Sequence, residues 1–133
     1  MDGSMIDLSK YRFSKAMELI TASQIMLENH LYKSALNRSY YAIFEGMRAI
    51  TALDKFDSSK HSGVIAYFNQ HYVKTGIFDK KVSAIIKGAS MLREKSDYQD
   101  FYVASEKDAK EQLELAKEFL EIVRDYLKKK DIL

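Results

Sequence analysis

The stretch Asn37-Arg38-Ser39-Tyr40-Tyr41-Ala42-Ile43-Phe44 sets a guanidinium and two adjacent phenols inside a segment that otherwise carries the apolar rhythm of a core helix. An arginine beside such a stripe must find a counter-charge or open onto a cleft, because an unpaired buried charge is among the costliest things a fold can hold. Arg38, Tyr41 and Glu45 fall at i, i+3 and i+7 and share one helical face, while Tyr40, Phe44 and Met47 fall on a neighbouring one. Two interpretations stand side by side. Either Tyr40 and Phe44 are core and Arg38 pairs with a carboxylate, or Arg38 and Tyr41 line a cleft that takes a phosphate or a base.

A second constellation, Arg93-Glu94-Lys95-Ser96-Asp97-Tyr98 followed by Asp100-Phe101-Tyr102, sits where a helix gives way to a loop. Arg93 could hold a phosphate bidentately while Tyr98 or Tyr102 stacks on a base, the usual division of labour in nucleotide and single-strand sites. The alternative is an Arg93–Asp97 ion pair at i, i+4, worth about 0.3–0.5 kcal/mol if exposed, with the tyrosines covering the bundle end. A third group, Ser59-Lys60-His61-Ser62-Gly63-Val64, reads as a helix start where free N–H groups, Lys60 and His61 make an anion site. His61 is the one candidate for moving a proton, though a lone histidine at a helix start is more often a packing or capping residue. No metal site is expected: His30, His61 and His71 form no His-x3-His pair, and no carboxylate pair has ligand spacing. No cofactor is implied either, since Gly-rich phosphate loops are absent.

The elements that must position these groups are all helical. Prolines are absent and glycines number five, so strand and turn punctuation is scarce while Ala, Leu, Lys, Glu and Met dominate. A first helix is predicted from Leu8 to Asn29, capped by Asp7, and a second from Tyr32 to Asp54 carries the Arg38 cluster. Gly46 in its middle forgoes about 1 kcal/mol against alanine, which points to a close helix contact. Ser58 or Ser59 opens a shorter third helix through Tyr72, stopped by Thr75-Gly76, and Asp79 caps a fourth that ends near Ser96. Ser105-Glu106-Lys107-Asp108 has capping-box spacing ahead of a long last helix whose Ala109, Leu113, Ala116, Leu120, Val123 and Leu127 alternate steps of four and three. Short connections make neighbours antiparallel, so the expected fold is all-α, an up-and-down bundle of four long helices plus a shorter one, in a single domain over residues 5–133.

Composition narrows the function classes. With 21 basic and 19 acidic residues the formal charge is +2, which excludes a strongly polyanion-seeking surface but permits a local basic patch. The absence of cysteine rules out disulfides, thiolate metal sites and thiol nucleophiles. No signal-peptide core and no apolar run near the ~20 residues that span a bilayer is present, so a cytoplasmic protein without a membrane partner is expected. Residues 1–4 read as a disordered or expression-derived leader ahead of a native start at Met5.

The ordered set of Asn37-Arg38-Ser39-Tyr40-Tyr41-Ala42-Ile43-Phe44, Lys60-His61-Ser62-Gly63-Val64-Ile65 with Phe68, Val73-Lys74-Thr75-Gly76, and Arg93-x3-Asp97-Tyr98 resembles the HEPN domain, in particular its small stand-alone prokaryotic members. The resemblance spans nearly the whole chain. It implies a helical bundle that commonly forms a homodimer, often encoded beside a minimal nucleotidyltransferase, with some such pairs acting as toxin and antitoxin. Catalytic members are metal-independent endoribonucleases with an Arg-x4-6-His motif, in which arginine steadies the phosphate and histidine moves a proton. This chain departs from that pattern. After Arg93 the histidine positions hold Tyr98, Gln99 and Asp100, and after Arg38 they hold Ile43, Phe44 and Glu45. Tyrosine, with a pKa near 10, is a poor proton shuttle at neutral pH. The resemblance therefore implies a nucleotide- or RNA-binding module or nucleotidyltransferase partner, with Arg38, Tyr41, Lys60, His61, Arg93, Asp97 and Tyr98 as ligand-binding residues. It leans away from an enzyme. A rival reading keeps ribonuclease activity with His61 as a non-standard base, which requires His61 beside Arg93; a third is a purely structural homodimer. Tyr98 and Tyr102 are the tyrosines a nucleotidyltransferase partner would reach.

Overall fold

In the computed structural model, which describes residues 3–133, small side chains bring the first two helices together. Ser9, Ala16 and Ser23 recur every seven residues on α1 (Gly3–Glu28), and α2 (Tyr32–Thr51) answers with Ala35, Ser39, Ala42 and Ala49, all of them buried. Ser9 Oγ donates to the Ala49 carbonyl at 2.6 Å, while Ser23 Oγ donates to the Ala35 carbonyl at 2.9 Å and lies 2.8 Å from Ser39 Oγ. The start of α1 thus meets the end of α2 and the reverse, an antiparallel pair whose buried hydroxyls all have partners.

α1 begins earlier than the Leu8 start expected from sequence: Gly3 and Ser4 lie in its first turn, and Asp7 is inside the helix rather than at its cap. Nothing between Gly3 and Asp7 breaks a helix, and Ile6 extends the apolar stripe onto the core. The rest of the expected leader, Met1 and Asp2, lies outside the described residues. At its other end α2 tightens into a 3-10 turn, Ala52–Asp54, closed by Lys55 in the left-handed region at φ 58°. α3 (His61–Phe68) runs into a π-helical turn, Asn69–Val73, and Gly76 at φ 83° ends the segment as expected. Neither Ser58 nor Ser59 caps α3 by a side chain; Lys60 holds the N-cap position, and Ser58 Oγ accepts from the Lys60 N–H at 3.2 Å.

The caps of the last two helices match the sequence. Asp79 Oδ1 accepts from Lys81 N at 2.9 Å to open α4 (Lys80–Tyr98), and Ser105 Oγ accepts from Asp108 N at 3.0 Å to open α5 (Glu106–Lys129). α2 lies at the centre, against α1, α4 and α5, with Tyr40, Ile43, Met47 and Ile50 almost fully buried among Phe68, Ile86, Phe119 and Leu120. α2 and α5 approach closely at Gly46, since a Cβ there would stand 2.7 Å from Leu120 Cδ2 and 3.0 Å from Phe119 Cε2. α5 returns along α1, where the Arg124 guanidinium lies 5.4 Å from the Phe13 ring centre and Lys117 Nζ donates to Gln24 Oε1 at 3.5 Å. The architecture is the expected all-α bundle of four long helices and one short one. Among the described residues no helix is long and apolar enough to cross a membrane.

Candidate functional site

Arg93, on the last turns of α4, reaches across to α2. Its Nη2 donates to Tyr41 Oη at 3.3 Å, and its guanidinium carbon lies 5.2 Å from the Tyr40 ring centre and 5.8 Å from those of Tyr41 and Tyr98. Three electron-rich faces around one cation replace much of the hydration it loses by partial burial. Asp97 Oδ2 stands 3.0 Å from Arg93 Nε, an i, i+4 ion pair at the helix surface whose angle falls short of an N–H···O hydrogen bond. The sequence alternatives for Arg93 therefore coexist: it pairs with Asp97 and still packs among three tyrosine rings, with its side chain 17% exposed.

His61 joins the cluster from the first turn of α3. Its Nδ1 shares a 3.0 Å hydrogen bond with Tyr40 Oη, and its ring centre lies 4.1 Å from that of Phe44 and 5.6 Å from that of Tyr41. Burial, reinforced by the positive charges of Arg93 and Arg48 and only partly opposed by Glu45, lowers the His61 pKa from its ordinary value. The imidazole is accordingly neutral at pH 7. Burial likewise pushes the Tyr40 phenol up to about 12 against the opposing pull of Arg93, so it serves as a neutral hydrogen-bond partner. Tyr40 and Tyr41 thus bridge His61 and Arg93, placing both against the middle of α2, where the start of α3 and the last turns of α4 meet it.

That arrangement can hold an anion at Arg93, stack a planar ring on Tyr98, and offer the remaining nitrogen of His61 to a bound group. Tyr98 is 73% exposed, so its outer face is open. Of the residues expected at the site, Tyr41, His61, Arg93, Asp97 and Tyr98 come together. Arg38, one turn before Tyr41, instead donates to Asn37 Oδ1 at 3.1 Å and takes no part in these contacts. Lys60 is exposed at the N-cap of α3, next to His61, and its side chain makes no ion pair among the described residues. Among the described residues no group of three or more His, Asp or Glu could hold a metal ion.

Comparison with known proteins follows the same outline. The HEPN domain family matches residues 9–126, from α1 into the last turns of α5. The chain belongs to the HEPN domain family. A UPF0332 protein of Thermotoga maritima is 32% identical over 86% of both chains. Two Methanocaldococcus jannaschii proteins, each named "Putative toxin", are 37% identical over 62% of both chains, and 29% identical over 90% of this chain and 81% of the relative.

Two parts of the site in this HEPN protein were not legible beforehand. Tyr40 reads as core, and it is only 2% exposed, yet its hydroxyl is what fixes His61. Arg48 and Arg12 carried no motif at all; they meet at Asp57, at 3.3 and 3.4 Å, while Arg48 Nη1 also reaches the buried Glu45 at 3.1 Å. The i, i+3 spacing of Glu45 and Arg48 was the available signal, but the separation of 45 positions between Arg12 and Asp57 hid the remainder.

Proposed function

We propose that this HEPN protein binds a nucleotide or RNA through Arg93, with Tyr41, Tyr98 and His61 around the bound phosphate and base, and works as one member of a toxin–antitoxin-like pair. The observation that carries the reading is Arg93 itself, packed against three tyrosine rings and hydrogen-bonded to Tyr41, with its side chain still 17% exposed beside the open Tyr98. The toxin names of two relatives support the pairing with an antitoxin, and a minimal nucleotidyltransferase is the partner suggested by family resemblance. Tyr98 is the exposed hydroxyl such an enzyme would reach first. Beside it, Phe101 and Val103 are 96% and 85% exposed, an apolar surface suited to a second copy of the chain. Titration of the protein with a nucleoside triphosphate and with single-stranded RNA tests the central claim: saturable binding that Arg93→Ala lowers at least tenfold is expected, and its absence favours the purely structural homodimer.

A second reading has one observation in its favour. The neutral His61 is held by Tyr40 within the same cluster as Arg93, as a ribonuclease with a non-standard base would need. Cleavage of RNA by the purified protein in a metal chelator, lost in both Arg93→Ala and His61→Ala, would establish this reading in place of simple binding. The expectation is that cleavage is weak or absent, because no histidine stands in the Arg-x4-6-His register.

A further inference from the structure

Away from the Arg93 cluster, the first turns of α1 and the connection after α2 enclose an open cleft of about 640 Å³, whose lining combines an apolar track with two cations. Met5, Leu8 and Arg12 fall at i, i+3 and i+7 and share one face of α1, so Arg12 lies about 10 Å along the helix axis from Met5. Ala52 and Phe56 line the cleft from the connection, and the Phe56 ring is held by stacking on Tyr67 at 3.9 Å. Leu8 is left 40% exposed there, an apolar side chain for which the chain itself supplies no cover.

Arg12 gives the cleft its chemistry. Its side chain is only 8% exposed, yet its two acceptors, the Arg48 carbonyl at 3.2 Å and Asp57 Oδ2 at 3.4 Å, are both long for charge-assisted hydrogen bonds. Asp57 shares that same oxygen with Arg48 at 3.3 Å, and the buried Glu45 is committed to Arg48 at 3.1 Å. Lys55, exposed at the cleft, adds a third cation, while Asp54 beside it accepts from Tyr67 and Tyr72 instead. Three cations, Arg12, Arg48 and Lys55, are therefore set against two carboxylates, Asp57 and Glu45. Burial lowers the Arg12 pKa and Arg48 lowers it further, with Asp57 and Glu45 opposing both only in part.

We infer that this cleft binds a medium-chain monocarboxylate, its carboxylate on Arg12 beside Lys55 and its chain along Leu8 and Met5 against Phe56. One negative charge balances the cluster, and a free carboxylate can meet the guanidinium with both oxygens, which the single shared oxygen of Asp57 does not. The span of about 10 Å from Arg12 to Met5 suits an extended chain of about eight carbons. A more highly charged ligand would find too few cations and an apolar wall, and a neutral one would leave the Arg12 charge as it is. Asp57 lies on the connection between Asp54 and His61, outside any helix, so it can remain with Arg48 when the ligand takes Arg12.

Calorimetric titration of the full chain with sodium octanoate and with octanamide tests this. Saturable one-to-one binding of octanoate is expected, at least tenfold tighter than that of the uncharged octanamide. Asp57→Asn removes the competing carboxylate and should tighten octanoate binding at least threefold, an effect that a merely apolar surface would not produce. Arg12→Met should abolish binding; because Arg12 is buried and that variant can fail to fold, Leu8→Glu, at an exposed position, carries the same test by setting a carboxylate one turn before Arg12. Octanoate that does not saturate, octanamide that binds as tightly, an Asp57→Asn protein that binds no tighter than the wild type, or a Leu8→Glu protein that binds as well as the wild type each overturns the inference.

Discussion

At the scale of single residues, the site is governed by how two cationic or potentially cationic groups share two tyrosines. Arg93 and Arg48 both lower the His61 pKa after burial has done so first. The His61 ring proton should therefore titrate in NMR with a midpoint below 6.5, and Arg93→Ala should move that midpoint upward; an unchanged midpoint would mean the two groups do not sense each other. The same shift bears on stability. With its folded pKa below the unfolded value, His61 contributes stability that is present above pH 6.5 and lost as pH falls through the folded pKa, because the unfolded chain takes up the proton first. Asp57 acts in the same direction further down: burial raises its pKa, but the Ser58 N–H, Arg48 and Arg12 together outweigh that and lower it below 3.8. Thermal unfolding followed from pH 7.5 to 5 should show a decline in midpoint that is smaller in His61→Gln.

Among the elements, the contact between α2 and α5 leaves no room for a side chain at Gly46. Alanine at position 46 would gain about 1 kcal/mol of helix propensity, yet its Cβ would enter the space of Leu120 and Phe119, and overpacking of that kind costs about 1–3 kcal/mol. Gly46→Ala is expected to lower stability in urea unfolding by about 1 kcal/mol; a more stable variant would show that Leu120 turns aside freely. Ser105→Ala should cost about 1 kcal/mol by removing the acceptor for Asp108 N, whereas Ser59→Ala should leave the fold unaffected because no side chain caps α3. The caps at Asp79 and Ser105 were legible because such a bond needs only the local sequence. The start of α1 and the π-helical end of α3 were not, since Ile6 and Tyr72 are drawn into place by distant core partners and by Asp54, whose Oδ2 accepts from Tyr72 Oη at 2.6 Å.

For the molecule as a whole, the site lies at the meeting of three helices, and the exposed loop after α4 carries Phe101 and Val103 beside it. If a second copy packs on that loop, sedimentation should give a mass twice that of the chain, and Phe101→Asp should return it to one copy while leaving helicity unchanged. A wild-type protein that sediments as a single copy at all concentrations would count against self-association there.

The sequence by itself determined the all-helical bundle, the caps at Asp79 and Ser105, the tight contact at Gly46 and the pairing of Arg93 with Asp97, because each follows from propensity or from spacing along one helix. Only the tertiary structure decided that Arg38 stays with Asn37 while Arg93 takes Tyr41, that Tyr40 holds His61, and that Arg12 and Arg48 converge on Asp57. Those choices depend on which helix faces which across the core, and a guanidinium reaching between helices leaves no periodic trace in either one.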